Sequence, residues 1–251
     1  MAKQRLQKVM ASAGVASRRQ CEELILTGAV RVNRQVVDAL PAFVDPETDK
    51  ITVDGKRLRV PERVYFALNK PKGVICTNRD PQGRRRAIDL VDCSERVFCI
   101  GRLDADTTGL IILTNDSELT NRLTHPRYKV AKSYVATVKG RVDGQAVEKL
   151  KKGIWLAEGK TGKAAVKVVK AGHKESMIEI TIQQGLNRQI RRMLARVGIP
   201  VKSLKRISIG KLKLRSLGVG RYRPLTKAEV RTLRGGPKAT GRTASGRGSS
   251  T

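Results

Sequence analysis

Two carboxylates stand two residues apart in one short stretch of the sequence, at Asp104 and Asp106 of GRLDADTTGL. The stretch separates two apolar runs of an otherwise basic chain. A carboxylate in such a turn can act as a nucleophile or a base, but Asp and Thr side chains can equally cap their own turn. Judged alone, the stretch favours the structural role, with Gly101 and Gly109 permitting a tight backbone.

Arginine chemistry is concentrated in GLNRQIRRMLARVG, whose apolar residues have helical spacing. At about 100° per residue, the segment has an arginine stripe and a buried stripe: Arg188, Arg192 and Arg196, and Ile190, Leu194 and Val197. Arg191 belongs to neither stripe. It could turn inward to a buried carboxylate or stay solvated, and the helix alone does not decide between the two.

A strand-like stretch, AKSYVATVKG, contributes a lysine and an aromatic ring. Alternation places Lys132 and Tyr134 on one face of the strand and Val135 on the other. The ring could hold a ligand or pack in the core, and the strand by itself favours neither. A further turn signal, LNKPKG at residues 68–73, is ordinary turn chemistry on its own.

The charge of the chain indicates what kind of partner it has. Its 251 residues include 52 Lys and Arg against 22 Asp and Glu, a formal net charge of +30. From Gln183 to Gly235 the one acidic residue is Glu229. Such an excess predicts binding to nucleic acid, whereas a merely solubilising surface usually mixes both signs. Lys205, Arg206 and the loop DPQGRRR are therefore expected to contact phosphate.

Several protein classes are not supported by the sequence. No stretch approaches the roughly 18 apolar residues of a membrane span, and the first residues lead into an amphipathic pattern instead of a secretory signal. A cytoplasmic protein that does not engage membranes is therefore predicted. The four cysteines form no CxxC pair and have His125 and His173 as their possible co-ligands, so neither a metal site nor a disulfide framework is expected.

Residues 1–60 predict a small module of two helices and two strand pairs. The apolar residues of RLQKVMASAG have helical spacing, and a second helix is predicted to begin at the Ser17-x-x-Gln20 capping box and to stop at Gly28. The stretches AVRVNRQVV and KITVDGKRL alternate as short strands, with Asp54-Gly55 as a hairpin turn. We expect a linker at residues 61–63.

The start of the second helix offers a site for phosphate. Arg18 and Arg19 lie there beside the free backbone N–H groups of the first turn. Through Ser17-Arg18-Arg19, ELILTGAVRVN and ITVDGK, the module resembles the alpha-L RNA-binding domain found in a ribosomal small-subunit protein and in many RNA-modifying enzymes. That family often has Gly after Asn33, where this chain has Arg34.

The motifs of the larger segment, taken together, resemble pseudouridine synthases of the RsuA/RluB branch, which act on ribosomal RNA. The shared motifs are KPKG at residues 70–73, GRLD with TTGL at 101–110, Lys132-x-Tyr134, and NRQIRRM at 187–193. Their order and spacing make the resemblance specific where each motif alone is not, and it runs from about Lys3 to Leu233.

The resemblance implies a role for each motif residue. Asp104 is the catalytic group, which either attacks ribose carbon 1 or removes the proton at carbon 2, and Asp106 caps the turn. Arg191 pairs with Asp104 and keeps it ionised, and Tyr134 stacks on the extruded uracil. The other basic motif residues are expected to bind RNA: Lys70, Arg102, Lys132, Arg188 and Arg192. An isomerisation without redox change or hydrolysis needs no cofactor or metal.

The implied fold is α+β. A mixed, mostly antiparallel sheet with flanking helices occupies residues 61–235, after the RNA-binding module at 1–60 and before a basic, Gly/Ser-rich tail at 236–251 that is expected to be disordered. We expect a monomer that modifies one uridine of ribosomal RNA within pre-ribosomal particles, and the stretch LNKPKGVICTNRDPQGR favours large-subunit RNA. The alternatives are small-subunit RNA and a non-catalytic RNA-binding assembly factor.

Overall fold

A computed structural model describes residues 3–59 and 61–235, so the predicted tail lies outside the described residues. The α-helices of this part are α1 (Leu6–Ser12), α2 (Arg18–Leu26), α3 (Ser117–Thr124), α4 (Gly144–Lys152), α5 (Gln189–Arg196) and α6 (Lys227–Leu233), and short 3-10 helices span Ala87–Leu90 and Pro126–Tyr128. Its strands are β1 (Gln4–Arg5), β2 (Val30–Val32), β3 (Gln35–Val36), β4 (Phe43–Val44), β5 (Ile51–Val53), β6 (Lys56–Arg57), β7 (Tyr65–Lys70), β8 (Phe98–Cys99), β9 (Thr107–Thr114), β10 (Lys132–Lys139), β11 (Trp155–Leu156), β12 (Gly159–Lys160), β13 (Ala165–Lys170), β14 (Glu175–Ile182), β15 (Val201–Ile209), β16 (Leu212–Lys213) and β17 (Tyr222–Pro224).

The amino-terminal module has a hydrophobic core of its own. Helices α1 and α2 pack together, and Leu6, Met10, Cys21 and Ile25 are fully buried between them and a four-stranded sheet of order β3-β2-β5-β6. The predicted capping box is present at the start of α2, where the Ser17 hydroxyl accepts the Gln20 N–H and the Gln20 side chain accepts the Ser17 N–H. The module can therefore form from local pattern and its own apolar residues.

Both hairpins of the module use the same two-residue turn. Asn33 and Arg34 have φ of 50° and 73°, and Asp54 and Gly55 have φ of 48° and 75°. Two consecutive residues with positive φ define a type I′ turn, which matches the twist of the flanking strands. Arg34 therefore adopts the left-handed conformation at a position where related modules often have glycine.

The segment after the amino-terminal module is built on one large sheet of order β13-β14-β10-β15-β9-β7-β17, with β8 added to β9 and β16 added to β15. Neighbouring strands run antiparallel except β9 and β15, which are parallel. The predicted α+β fold with a mixed, mostly antiparallel sheet is thus confirmed. The parallel pair results from placing a late strand between two early ones.

Helices cover both faces of the large sheet. On β9, Ile111 and Leu113 belong to the cluster that includes residues of α4 and α5, whereas Leu110 and Ile112 belong to the cluster that includes residues of α3 and α6. All four side chains are fully buried. A central strand covered on both faces needs apolar residues in succession, which explains the run LIIL.

Helix α5 begins one residue later than its arginine spacing suggests. Arg188 precedes the helix with φ 45° and ψ 32°, a left-handed conformation, so it is not part of the predicted arginine stripe. Ile190 and Leu194 are buried as predicted, and Met193 is buried with them. Because Arg188 lies outside the helix, the turn before α5 sets the direction of its side chain, and helical periodicity does not.

None of the described helices is long and apolar enough to span a bilayer. All four cysteines are free thiols. Within residues 3–59 and 61–235, no three His, Cys, Asp or Glu side chains come together as a metal site would require.

Candidate active site

A cavity of about 280 Å³ gathers residues from widely separated stretches of the chain. Its walls come from the turn before β9, from β10, from β15 and from the turn before α5. The predicted site residues that line it are Arg102, Asp104, Lys132, Tyr134 and Arg188. The fold therefore brings together side chains that are up to 86 positions apart in the chain, counting from 102 to 188.

The turn that carries Asp104 is held by backbone hydrogen bonds. The Thr107 N–H donates to the Asp104 carbonyl at 3.0 Å, which closes the turn, and the Gly73 N–H donates to the Ala105 carbonyl at 2.7 Å. The loop at residues 71–74 thus clamps the tip of the turn from outside. The motif KPKG has a positioning role that its local sequence did not reveal.

Lys70 is not available for the predicted contact with RNA. Its side chain is fully buried, and its ammonium group donates to the carbonyl oxygens of Pro71 at 3.0 Å and Val74 at 2.6 Å. Burial lowers the pKa of Lys70, and the nearby charges of Cys76, Asp106 and Asp104 partly oppose this effect. Because β7 directs it into the interior, Lys70 instead fixes the loop that clamps the turn carrying Asp104.

The ion pairs at the turn differ from the predicted ones. Arg188 Nη1 lies 3.6 Å from Asp104 Oδ2, and the same guanidinium group donates to both carboxylate oxygens of Asp106 at 3.1 and 3.2 Å. Arg191 Nη2 lies 3.3 Å from Asp106 Oδ2 and donates to the Asp106 carbonyl at 3.1 Å. The predicted pairing of Arg191 with Asp104 is therefore wrong among the ion pairs of the described residues, and Arg188 takes that place.

Asp106 is also not the simple turn cap that was predicted. Burial by itself would raise the pKa of Asp106, but the hydrogen bonds from Arg188 and the charges of Arg191 and Arg188 outweigh burial and lower it. Asp106 therefore stays ionised and anchors both arginines. Asp104 makes the longer contact, and its side chain is 34% exposed at the cavity.

Tyr134 and Lys132 share one face of β10, as the alternation of that strand predicts, and both line the cavity. Tyr134 is 8% exposed and also belongs to the hydrophobic core, so its ring is both a core residue and part of the cavity wall. Burial, and secondarily the charge of Arg206, lowers the pKa of Lys132. The ring gives the cavity a flat apolar wall of the kind on which a nucleobase can stack.

The remaining predicted RNA contacts lie away from the cavity, apart from Arg102, which is exposed at its edge. Arg192 donates through two bonds to Glu158, at 2.8 and 2.9 Å, so its guanidinium group is already occupied. Arg18 and Arg19 are exposed in the first turn of α2. These two residues are free to meet an anion at the surface of the module.

Thr107, Leu204 and Arg206 line the cavity although they were not predicted to belong to the site. Arg206 was expected to contact phosphate at the surface, but it is 2% exposed and its Nε donates to the Leu110 carbonyl at 2.6 Å. The alternation of β15 puts Leu204 and Arg206 on one face, so the sequence did carry a signal that they act together. It did not indicate which face is the interior.

Two protein-family models match separate parts of the chain. Residues 64–196 match the RNA pseudouridylate synthase family, and residues 4–46 match the S4 domain. The S4 match coincides with the module that resembles the alpha-L RNA-binding domain.

Known proteins resemble the chain along nearly its whole length. The ribosomal large subunit pseudouridine synthase B of Bacillus subtilis is 47% identical over 234 residues, covering 92% of this chain and 96% of that protein. An uncharacterized RNA pseudouridine synthase of Aquifex aeolicus is 44% identical, covering 91% and 93%. The crystal structure of a pseudouridylate synthase superposes with a TM-score of 0.68 at 31% identity, covering 91% of this chain and 99% of that one.

Proposed function

Because this chain belongs to the RNA pseudouridylate synthase family, we propose that it converts one uridine of large-subunit ribosomal RNA to pseudouridine. The similar protein of Bacillus subtilis is named as a large-subunit enzyme. The observation that carries the proposal is the cavity in which Asp104, Tyr134 and Arg188 meet. These three side chains supply a reactive carboxylate, a stacking surface and a cation that pairs with the carboxylate.

Asp104 performs the first chemical step. Its carboxylate faces the cavity, where it either attacks ribose carbon 1 or removes the proton at carbon 2, and either step releases uracil from its ribosyl nitrogen bond. Both routes need the carboxylate form of Asp104, and the Arg188 guanidinium group lies 3.6 Å from it as a cationic partner. Arg191 acts indirectly. It binds the carboxylate and the carbonyl of Asp106 and so fixes the turn that carries Asp104.

The detached base has to rotate before it is joined again through ring carbon 5. Tyr134 presents its ring to the cavity and keeps the base stacked while it turns. Arg102, exposed at the cavity edge, and Arg188 bind the RNA that delivers the uridine. Isomerisation conserves every atom of the substrate, so the step calls on no activated donor.

The amino-terminal module supplies RNA affinity. We place the division between module and catalytic domain at residues 61–63 and assign phosphate contacts to Arg18 and Arg19. Because one chain supplies the whole cavity, we infer that the enzyme acts as a monomer. Its proposed substrate places it with pre-ribosomal particles in the cytoplasm.

The test is chemical mapping of pseudouridine in ribosomal RNA from cells that lack the protein, complemented with wild type or with Asp104→Asn. We expect one uridine of the large subunit to stay unmodified in the deletion and in the Asp104→Asn strain, and to be modified with wild type. A missing site in small-subunit RNA would replace the proposed target. If no site were lost, or if Asp104→Asn restored it, an RNA-binding assembly role would replace the enzymatic one.

A further inference from the structure

Two buried polar groups of the cavity wall have no hydrogen-bond partner within the described residues. They are the Nη2 of Arg206 and the Oγ1 of Thr107. Both residues are 2% exposed, and both line the cavity that contains Asp104. An unpaired donor is costly to bury, and in a binding cavity a ligand oxygen is the partner that completes it.

The sheet explains why Arg206 reaches this position. On β15, Arg206 is directly opposite Tyr134 of β10 and beside Gly109 of β9. Residues opposite each other in a sheet direct their side chains to the same face, so Arg206 shares with Tyr134 the face on which the base stacks.

Gly109 makes this placement possible. A Cβ atom on Gly109 would lie 2.2 Å from the Arg206 carbonyl oxygen, and Gly109 has φ of 101°. A side chain there would push β15 away from β9 and carry Arg206 with it. The glycine that follows the catalytic turn in the sequence therefore sets the depth at which Arg206 lies.

Only part of the Arg206 side chain is used within the protein. Its Nε–H is fixed by the Leu110 carbonyl at 2.6 Å, which orients the planar guanidinium group. No carboxylate forms an ion pair with Arg206 among the described residues, although Asp104 and Asp106 are paired with other arginines nearby. A cation that is held rigidly, buried and unneutralised in a ligand cavity is suited to an anion that exists there only during the reaction.

We propose that Arg206 donates a hydrogen bond to a carbonyl oxygen of the target uracil and stabilises the negative charge that the base acquires when it is detached. The proposal rests on the proposed function. When the bond between ribose carbon 1 and uracil N1 breaks, its electron pair leaves with the base and spreads over the two carbonyl oxygens. When carbon 5 then bonds to ribose carbon 1, Asp104 gives up its bond to carbon 1 or returns the proton to carbon 2. The proton on carbon 5 departs and N1 takes up a proton, so no atom is gained or lost.

Lys132 lines the same cavity but is less suited to this task. Burial and the neighbouring Arg206 both lower the pKa of Lys132, so its positive charge is disfavoured beside a second cation. An arginine keeps its proton and offers fixed, directional donors. Stabilisation of developing charge by a preorganised donor is worth about 10²- to 10³-fold in rate.

The experiment compares two substrates that differ in the stability of the detached base. RNA carrying uridine or 5-fluorouridine at the target position is given to wild type, Arg206→Met and Arg206→Lys, and single-turnover loss of the starting nucleoside is measured at saturating RNA. Fluorine withdraws electrons and stabilises the detached anion by itself. Arg206→Met should therefore lose roughly 10²-fold or more on uridine and distinctly less on 5-fluorouridine, with RNA affinity unchanged.

The controls separate this role from a structural one. Lys202→Met changes an exposed residue of the same strand, which pairs with Glu175 far from the cavity, and should match wild type on both substrates. If Arg206→Met does not fold, Arg206→Lys replaces it in the test, because lysine keeps the buried positive charge. The activity lost by Arg206→Lys should likewise be smaller on 5-fluorouridine than on uridine. Equal losses on the two substrates, or full activity, would overturn the proposal. Inactive wild type would instead contradict the proposed function.

Discussion

Arg188 and Asp104 form an ion pair at the candidate active site, with 3.6 Å between Nη1 and Oδ2. The same guanidinium group binds Asp106 more closely, at 3.1 and 3.2 Å, and Arg191 also binds Asp106, at 3.3 Å. Asp106 is therefore fixed by two arginines, whereas Asp104 is held by one longer contact and can reach a substrate atom. Their partners, and not their spacing, distinguish the two carboxylates.

Replacing the two acids by amides should separate their roles. Asp104→Asn should abolish turnover and leave RNA affinity nearly unchanged, because an amide has the size of a carboxylate but cannot attack or abstract a proton. Asp106→Asn should retain measurable activity, since it weakens only the anchoring of Arg188 and Arg191. Single-turnover rates and RNA binding measure both effects, and equal losses at the two positions would contradict the assignment.

Arg191 should affect the rate through the turn it holds. Its side chain is 13% exposed and contacts both the carboxylate and the carbonyl of Asp106, so Arg191→Ala should displace the turn and lower the single-turnover rate by roughly 10²-fold. Arg191→Lys should recover part of this loss. The neighbouring Arg192→Ala removes a pair with Glu158 and should leave the rate at saturating RNA intact. A similar fall in both alanine variants would point to a general effect on helix α5.

Gly109 should tolerate no side chain. In Gly109→Ala the new Cβ would lie 2.2 Å from the Arg206 carbonyl in addition to the strain of φ 101°, and we expect a loss on the order of 3 kcal/mol in the free energy of unfolding. Gly140→Ala is the matched control, because Gly140 also has positive φ but open space around it, and should lose about 1 kcal/mol. Chemical denaturation compares them. Equal losses in the two variants would show that the cost comes from backbone strain and not from the close approach of the new Cβ to Arg206.

The amino-terminal module should contribute affinity and not chemistry. Arg18→Ala combined with Arg19→Ala should flatten the slope of log K against log[salt] by roughly two units, because each lost phosphate contact removes about one. Single-turnover rates at saturating RNA should not change. Lys149→Ala with Lys152→Ala, two exposed residues of α4, removes equal charge elsewhere and should leave the slope nearly unchanged. A collapsed saturating rate in the Arg18/Arg19 variant would mean that the module helps to build the active site.

Asp116 should make stability depend on pH. Burial would raise its pKa, but the Leu119 N–H, the Tyr65 hydroxyl and the charges of Arg63 and Arg234 outweigh burial and lower it. A lowered carboxyl pKa in the folded state stabilises the protein above the unfolded value of about 3.9, and this contribution is lost as the pH falls through the folded value.

Asp116→Asn should therefore cost about 2 kcal/mol in the free energy of unfolding at neutral pH, and the difference from wild type should narrow in acid. Urea titrations at a series of pH values measure it. Glu118→Gln changes an exposed acid two residues away and should show little effect. A difference between Asp116→Asn and wild type that stays constant with pH would rule out this linkage.

Local chemistry made much of the fold predictable. The capping box of Ser17 and Gln20, the end of α2 before Gly28 and the alternation of Lys132 and Tyr134 each depend on residues a few positions apart, and the structure confirms them. The choice of partners for charged residues depends on the order of strands in the sheet. Periodicity could not give that order.

The errors at the site have this origin. Lys70 ends a strand that lies inside the sheet, and its burial follows from the neighbours of β7 and not from its own sequence. Arg188 takes a left-handed conformation just before its helix. Helical spacing of 100° per residue therefore predicted the wrong direction for its side chain. Arg206 was placed at the surface because a lone arginine on a strand gives no sign of which face is covered.

A ribosome that synthesises this chain releases β9 and β10 well before β15, yet β15 lies between them in the finished sheet. Until residues 201–209 have emerged, the strand after the catalytic turn and the strand carrying Tyr134 share no hydrogen-bonded neighbour among the described strands. The amino-terminal module draws its core from residues 6–53 and can fold while synthesis continues. The nascent polypeptide therefore acquires its RNA-binding unit early, and its candidate active site is completed only once residues 201–209 have emerged.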